Sequence, residues 1–140
     1  MFAALPLLAL PVLLYNILAA TLAGGFHAAD AAGRLAAPLF TIRTASHTDW
    51  AVSLGDLLLM VALIVLFVEL LKSAASHQAA IVNHSLSMVL FIVCLVEFLL
   101  FPAFATSTFF LLMLMVLLDV LAGFIVTIAT SRREVDVRDR

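Results

Sequence analysis

The sequence has few charged residues for its length. Only 11% of its 140 residues are Asp, Glu, Lys or Arg, and 66% are hydrophobic, whereas roughly a quarter of an ordinary soluble domain is charged. The mean hydropathy is +1.26. A soluble domain of this size would expose most of its Leu, Val and Phe to water. The composition therefore predicts an integral membrane protein.

Several chemical signatures are also missing. The net charge is −2 and the arginines of the C-terminal tail alternate with acids, so no basic surface suits a nucleic acid. Cys94 is the single cysteine, lies within an apolar run and has no second cysteine to pair with. The sequence contains no glycine-rich phosphate loop, nucleophile elbow or His-Glu-x-x-His motif. We therefore expect neither an enzyme nor a bound cofactor.

Metal ligation has weak support. His27, Asp30, His47 and Asp49 fall in one loop, but their spacing matches no recognised ligand pattern. A bis-histidine haem site needs two histidines at membrane depth, and only His84 lies within an apolar segment. No metal site is predicted.

Four apolar segments reach the roughly 20 residues that cross a hydrocarbon core. They cover residues 2–22, 51–71, 81–101 and 108–130. The first segment lacks a basic flank and is too long for a secretory signal, so it is predicted to be a membrane helix. The expected fold is all-α, a bundle of four transmembrane helices in residues 1–131 followed by a charged cytoplasmic tail at 132–140.

Basic residues near the segment ends predict the orientation, because Lys and Arg are retained in the cytoplasm during insertion. Lys72 and the four arginines of the tail fall on one side, against Arg34 and Arg43 in the first loop. Both termini are therefore predicted to be cytoplasmic, in a cell membrane that we expect to be a bacterial inner membrane. The first loop then faces the periplasm or the exterior.

The first loop is still rather apolar. Residues 29–37 predict a short interfacial helix in which Asp30 and Arg34 pair at i,i+4. Residues 38–43 are predicted to be extended, and Trp50 to anchor the second transmembrane helix at the headgroups.

Polar residues within the segments are costly in lipid and need a partner, a cavity or a proton. The second and third transmembrane helices are joined by a short turn and must be antiparallel. Asp56 is then level with Glu97, and Glu69 is level with His84. Each pair is a candidate for sharing a proton or a cation. Lys72 is an alternative partner for Glu69 at i+3.

The fourth segment places Asp119 near the middle of the membrane. Gly123 and Thr127 follow at i+4 and i+8, which predicts a narrow stripe where another helix approaches closely. Asn16 in the first segment lies within about a turn of the depth of Asp119.

Two functions remain open. The first is a noncatalytic membrane protein that associates with itself or with another membrane subunit through the stripe around Asp119. The second is a small transporter or channel in which Asp56, Glu69, His84, Glu97, Asp119 and Asn16 form a pathway for protons or a cation. In the simpler alternative, a protonated Asp119 hydrogen-bonds to Asn16 or to backbone while the other groups reach the headgroups. Membrane lipids are partners in every case.

Overall fold

The structure is a computed structural model that describes residues 6–22, 24–75 and 77–138, with side chains described outside 73–81, 126, 127 and 129–138. Its elements in chain order are α1 (Ala9–Thr21), α2 (Ala31–Ala36), β1 (Pro38–Arg43), β2 (Asp49–Ser53), α3 (Leu54–Ala75), α4 (His77–Leu100), a 3₁₀ helix (Pro102–Phe104) and α5 (Ser107–Arg138).

Among the described residues, three helices are long and apolar enough to cross a membrane. Their most apolar windows are Leu54–Lys72, Val82–Leu100 and Ser107–Ile125, each of 19 residues, with mean hydropathies of 2.6, 1.9 and 2.5. The described helix in the first predicted segment, α1, has 13 residues and begins at Ala9, after Pro6. The mostly helical, membrane-compatible fold is thus confirmed for three helices.

The long helices do not pack in the order of the chain. The first of them, α3, ends at Ala75 and α4 begins at His77, yet both pack more extensively against α5 than against each other. The helix α5 therefore lies between them. The core consists of residues buried along these contacts, among them Leu58, Ala62, Leu66, Cys94, Leu112 and Val116. We call the end near residue 76 the turn end and the opposite end the hairpin end.

The hairpin end carries a β-hairpin that corrects the all-α prediction. The extended segment is confirmed as β1, and it pairs antiparallel with β2. The predicted second transmembrane helix begins at Leu54 instead of residue 51, because the preceding residues belong to β2. The segment Asp49–Ser53 contains Trp and Val, which suit a pleated strand once a partner lies beside it.

A short helix is present within the predicted segment 29–37, as α2. Arg34 Nε lies 3.5 Å from Asp30 Oδ2, which confirms the i,i+4 pair. Both side chains are more than half exposed, so the pair contributes little to stability.

A buried hydrogen-bond network connects α1, the 3₁₀ helix and the start of α5 at the hairpin end. Tyr15 Oη donates to the carbonyl of Ala103 at 2.9 Å and lies 2.6 Å from Thr106 Oγ1. Thr106 Oγ1 also accepts the backbone N–H of Phe109 at 3.1 Å, which caps the start of α5. The Tyr15 ring packs against Phe104 and Phe109. These contacts attach α1 to the start of α5.

Candidate functional site

The centre of the candidate site is Asp119 on α5, whose side chain is fully buried. Ser87 on α4, also fully buried, donates its hydroxyl to Asp119 Oδ2 at 2.5 Å. Asp119 Oδ1 has no hydrogen-bond partner among the described residues. Asp119 lies 12 residues after Ser107, so it is about 18 Å from the hairpin end of α5. A carboxyl group thus sits deep in the bundle with one of its two oxygens unbonded.

A second buried carboxyl group, Glu69 on α3, lies closer to the turn end. Glu69 Oε2 accepts the backbone N–H of Leu7 at 2.7 Å, just before α1. Glu69 Oε1 accepts Asn83 Nδ2 and lies 3.6 Å from Lys72 Nζ. The i+3 alternative for Lys72 is therefore present in the structure. Glu69 joins the start of α1 to α3 and α4.

Asn83 is one of the residues that the sequence analysis missed. It is 2% exposed, and its Oδ1 atom has no hydrogen-bond partner among the described residues. Asn83 and Ser87 are four residues apart, so they lie on one face of α4. Two small polar residues spaced four apart in an apolar segment, together with carboxylates in the neighbouring segments, form the sequence pattern from which this face of α4 could have been predicted.

His84 does not pair with Glu69 but packs against α5 at Gly123. A Cβ atom built on Gly123 would lie only 1.9 Å from His84 Nδ1. Both ring nitrogens of His84 are buried and have no hydrogen-bond partner in the described residues. The stripe predicted around Gly123 therefore receives a helix of the same chain, α4. The side chain of Thr127 lies outside the described residues.

These residues form one group, which we call the turn-end cluster: Glu69, Asn83, His84, Ser87 and Asp119. Glu69, Lys72 and His84 are within electrostatic range of Asp119. The cluster brings together two carboxyl groups between α3, α4 and α5, and in the described part of the chain Asn83, His84 and Asp119 each carry a polar atom without a hydrogen-bond partner. Carboxyl and amide oxygens of this kind bind protons or hard cations.

The other predicted pathway residues lie away from this cluster. Asp56 is exposed at the start of α3, where its Oδ2 accepts Ser53 N–H at 2.9 Å and Ser53 Oγ–H at 2.7 Å. Ser53 Oγ in turn accepts Asp56 N–H at 3.1 Å. This reciprocal arrangement is a capping box. Asp56 therefore caps α3 instead of facing Glu97.

Glu97 and Asn16 meet each other near the hairpin end. Asn16 Nδ2 donates to Glu97 Oε2 at 3.4 Å and to its own helix at the Val12 carbonyl at 3.2 Å. Both side chains are partly exposed on the bundle surface. Asn16 thus contacts Glu97, not Asp119.

An apolar layer separates the turn-end cluster from these residues. It is formed by buried side chains of the three long helices, including Leu58, Ala62, Cys94, Leu112 and Val116. The pathway predicted for protons or a cation is interrupted at this layer.

Within the described residues, no group of three or more His, Cys, Asp and Glu side chains is placed to hold a metal ion. The carboxyl groups of the turn-end cluster are instead supplemented by an amide and a hydroxyl. Comparisons with protein-family models, curated proteins and solved structures found no match for this chain.

Proposed function

We propose that the chain is a noncatalytic integral membrane protein with four membrane-crossing segments. The fourth crossing is α1, which supplements the three helices of sufficient length. Leu7, just before α1, bonds to Glu69 in the cluster, and Tyr15 within α1 reaches Ala103 beyond the opposite end of α4. These contacts support an α1 that runs along the bundle between its two ends.

The proposed orientation puts the turn end in the cytoplasm. Lys72 lies at this end beside Glu69. Arg132, Arg133 and Arg138 belong to the C-terminal part of α5, and Arg140 follows it in the sequence. Arg34 and Arg43 belong to the hairpin end. The larger number of basic residues supports cytoplasmic termini in a cell membrane, with a bacterial inner membrane as the proposed location.

The proposed function is transport of protons or a small cation by the turn-end cluster. The observation that carries this proposal is Asp119, a fully buried carboxyl group with one hydroxyl donor and one unbonded oxygen. A carboxyl group in apolar surroundings requires a proton, a cation or several donors, and Ser87 supplies a single donor. A group that exchanges such a ligand suits a transport site.

The apolar layer favours a transporter over an open channel. Water has no polar route through Leu112, Val116 and Cys94 in the described packing. A ligand bound at Asp119 from the turn end would cross only when α5 moves relative to α3 and α4. The proposed mechanism is therefore alternating exposure of Asp119 to the two sides of the membrane.

Flux through liposomes tests this proposal. Purified protein is reconstituted with an internal pH-sensitive dye or sodium-sensitive dye, and a potential is imposed by potassium and valinomycin. We expect flux above that of empty liposomes, and a reduction of about tenfold or more in Asp119→Asn because the exchangeable group is lost. A response of the pH-sensitive dye identifies proton transport, and a response of the sodium-sensitive dye identifies transport of sodium ions.

Asp56→Asn is the matched control, since it changes an exposed carboxylate that caps α3 and leaves the cluster intact. Its flux should stay within about twofold of that of the wild-type protein. Size-exclusion profiles establish that both variants are folded. Wild-type flux equal to that of empty liposomes, or equal flux in wild type and Asp119→Asn, would overturn the proposal.

A second proposal, association with another copy or another membrane subunit, is favoured by Asn16 and Glu97. Both are partly exposed, and Glu97 lies three residues before the end of α4, about 5 Å along the helix axis. Polar groups at the lipid surface gain hydrogen bonds when a second membrane helix covers them. A second copy would offer the same amide and carboxyl group in return.

The subunit count of the purified protein tests this association. We expect the wild-type protein to be oligomeric in a mild detergent and Asn16→Leu/Glu97→Leu to be mainly monomeric, since each interhelical hydrogen bond contributes about 1 kcal/mol. Light scattering with detergent correction measures both masses. Thr21→Leu is the control, because the Thr21 hydroxyl bonds to its own helix at Ile17. A monomeric wild type, or an unchanged mass in the double variant, would count against this surface.

A further inference from the structure

The β-hairpin at the hairpin end separates its apolar and polar side chains onto opposite faces. Directly paired residues of antiparallel strands share a face, and faces alternate along each strand. The pairs on one face are Phe40 with Val52 and Ile42 with Trp50; those on the other are Thr41 with Ala51 and Arg43 with Asp49. The hairpin is therefore amphipathic.

The apolar face is continuous with the membrane-compatible part of the molecule. Val52, near α3, is 1% exposed, whereas Phe40, Ile42 and Trp50 farther along the same face are 46%, 46% and 51% exposed. The strand β2 ends at Ser53 and α3 begins at the next residue. The exposed apolar face thus starts where a helix long enough to cross the bilayer begins.

We infer that this face lies on the membrane surface, with its side chains at the boundary between headgroups and acyl chains. A two-stranded hairpin has two open edges, whose unpaired N–H and C=O groups exclude it from the hydrocarbon interior. An aqueous position would leave Phe40, Ile42 and Trp50 half exposed to water. At the headgroups, water reaches the strand edges, Trp50 occupies its preferred interface, and Arg43 and Asp49 face the solvent.

The occupant of this surface is therefore lipid, and the inference does not depend on the transport proposal. Trp50 is the only tryptophan in the sequence, so fluorescence of the unmodified full-length protein under tryptophan-selective excitation reports on this face alone. Vesicles are prepared from phosphatidylcholine with bromine atoms near the carbonyl end or near the methyl end of an acyl chain. Iodide serves as the aqueous quencher.

We expect brominated chains to quench Trp50, by about twofold more when the bromine is near the carbonyl end, because interfacial tryptophans lie at a shallow depth. Iodide should quench it only weakly. Two variants retain a single tryptophan and move it: Trp50→Phe/Ile42→Trp on the same face, and Trp50→Phe/Thr41→Trp on the opposite face. The first should behave as the wild type, and the second should respond mainly to iodide.

Three results would overturn the inference. Strong quenching of Trp50 by iodide without quenching by brominated lipid would place the face in water. Protection from both quenchers would mean that a second copy or another protein covers it. Equal responses of the two moved tryptophans would likewise contradict a face-specific contact with lipid.

Discussion

Glu69→Ala should lower the stability of the folded bundle on the order of 3 kcal/mol, because it removes a buried carboxylate from several partners at once. The variant leaves the buried Asn83 amide without its acceptor and the Leu7 N–H without its side-chain cap, and it breaks the ion pair with Lys72. Water does not replace these bonds easily at a residue that is fully buried. Thermal unfolding in detergent, followed by the fraction of protein that stays monodisperse, measures the loss.

Glu69→Gln provides the matched control. The glutamine side chain keeps an oxygen that can accept a hydrogen bond from Asn83 or Leu7, so the substitution removes mainly the negative charge. A smaller loss of stability, about 1 kcal/mol, is therefore expected. Alanine and glutamine variants with equal unfolding temperatures would show that the hydrogen bonds contribute nothing beyond the charge. An alanine variant whose unfolding temperature is within about 2 °C of that of the wild type would contradict the buried contacts of Glu69 in the turn-end cluster.

The helical segments could be predicted from the sequence because crossing a bilayer requires length and apolar composition, both of which are visible in a linear chain. The same applies to α2, where the spacing of Asp30 and Arg34 specifies a local contact. The strand β2 could not be predicted in this way. A single apolar strand next to an apolar helix resembles the beginning of that helix until its partner β1 is known.

The partners of the polar residues were harder to predict, for a geometric reason. Pairing residues at equal depth on antiparallel helices predicts their depth in the membrane but not the direction in which each side chain points. Successive residues of a helix point in directions that differ by about 100°. Glu69 therefore bonds to Asn83, while the adjacent His84 points to Gly123. The position of α5 between α3 and α4 was also hidden, since the short turn that makes α3 and α4 antiparallel does not require them to pack most extensively against each other.

The polar residues of the bundle consequently divide into groups with different expected roles. Ser53 and Asp56 stabilise the start of α3. Asn16 and Glu97 contact each other on the partly exposed surface of the bundle, where association is proposed. Within the described residues, the turn-end cluster combines the buried side chains of Glu69, Asn83, Ser87 and Asp119 with unbonded polar atoms on Asn83, His84 and Asp119. Variants in these three groups should therefore separate stability, association and flux from one another.

Gly123→Ala should destabilise the protein by about 2 kcal/mol, although alanine is the better helix former by about 1 kcal/mol. Helix propensity and packing thus predict opposite signs. Packing dominates because the new methyl group would lie 1.9 Å from His84 Nδ1 and 2.0 Å from its Cγ atom, so the whole imidazole ring must move. The expected result is a lower midpoint of thermal unfolding in detergent.

A double-mutant cycle identifies His84 as the cause. Adding His84→Ala removes the ring, so Gly123→Ala/His84→Ala should be more stable than Gly123→Ala alone. Gly33→Ala in α2 is the matched control, because its methyl group would meet only the carboxylate of the exposed Asp30, which can move away. That variant should be neutral or slightly stabilising. An unchanged midpoint for Gly123→Ala, or no recovery on removing His84, would mean that α4 and α5 do not approach each other at Gly123.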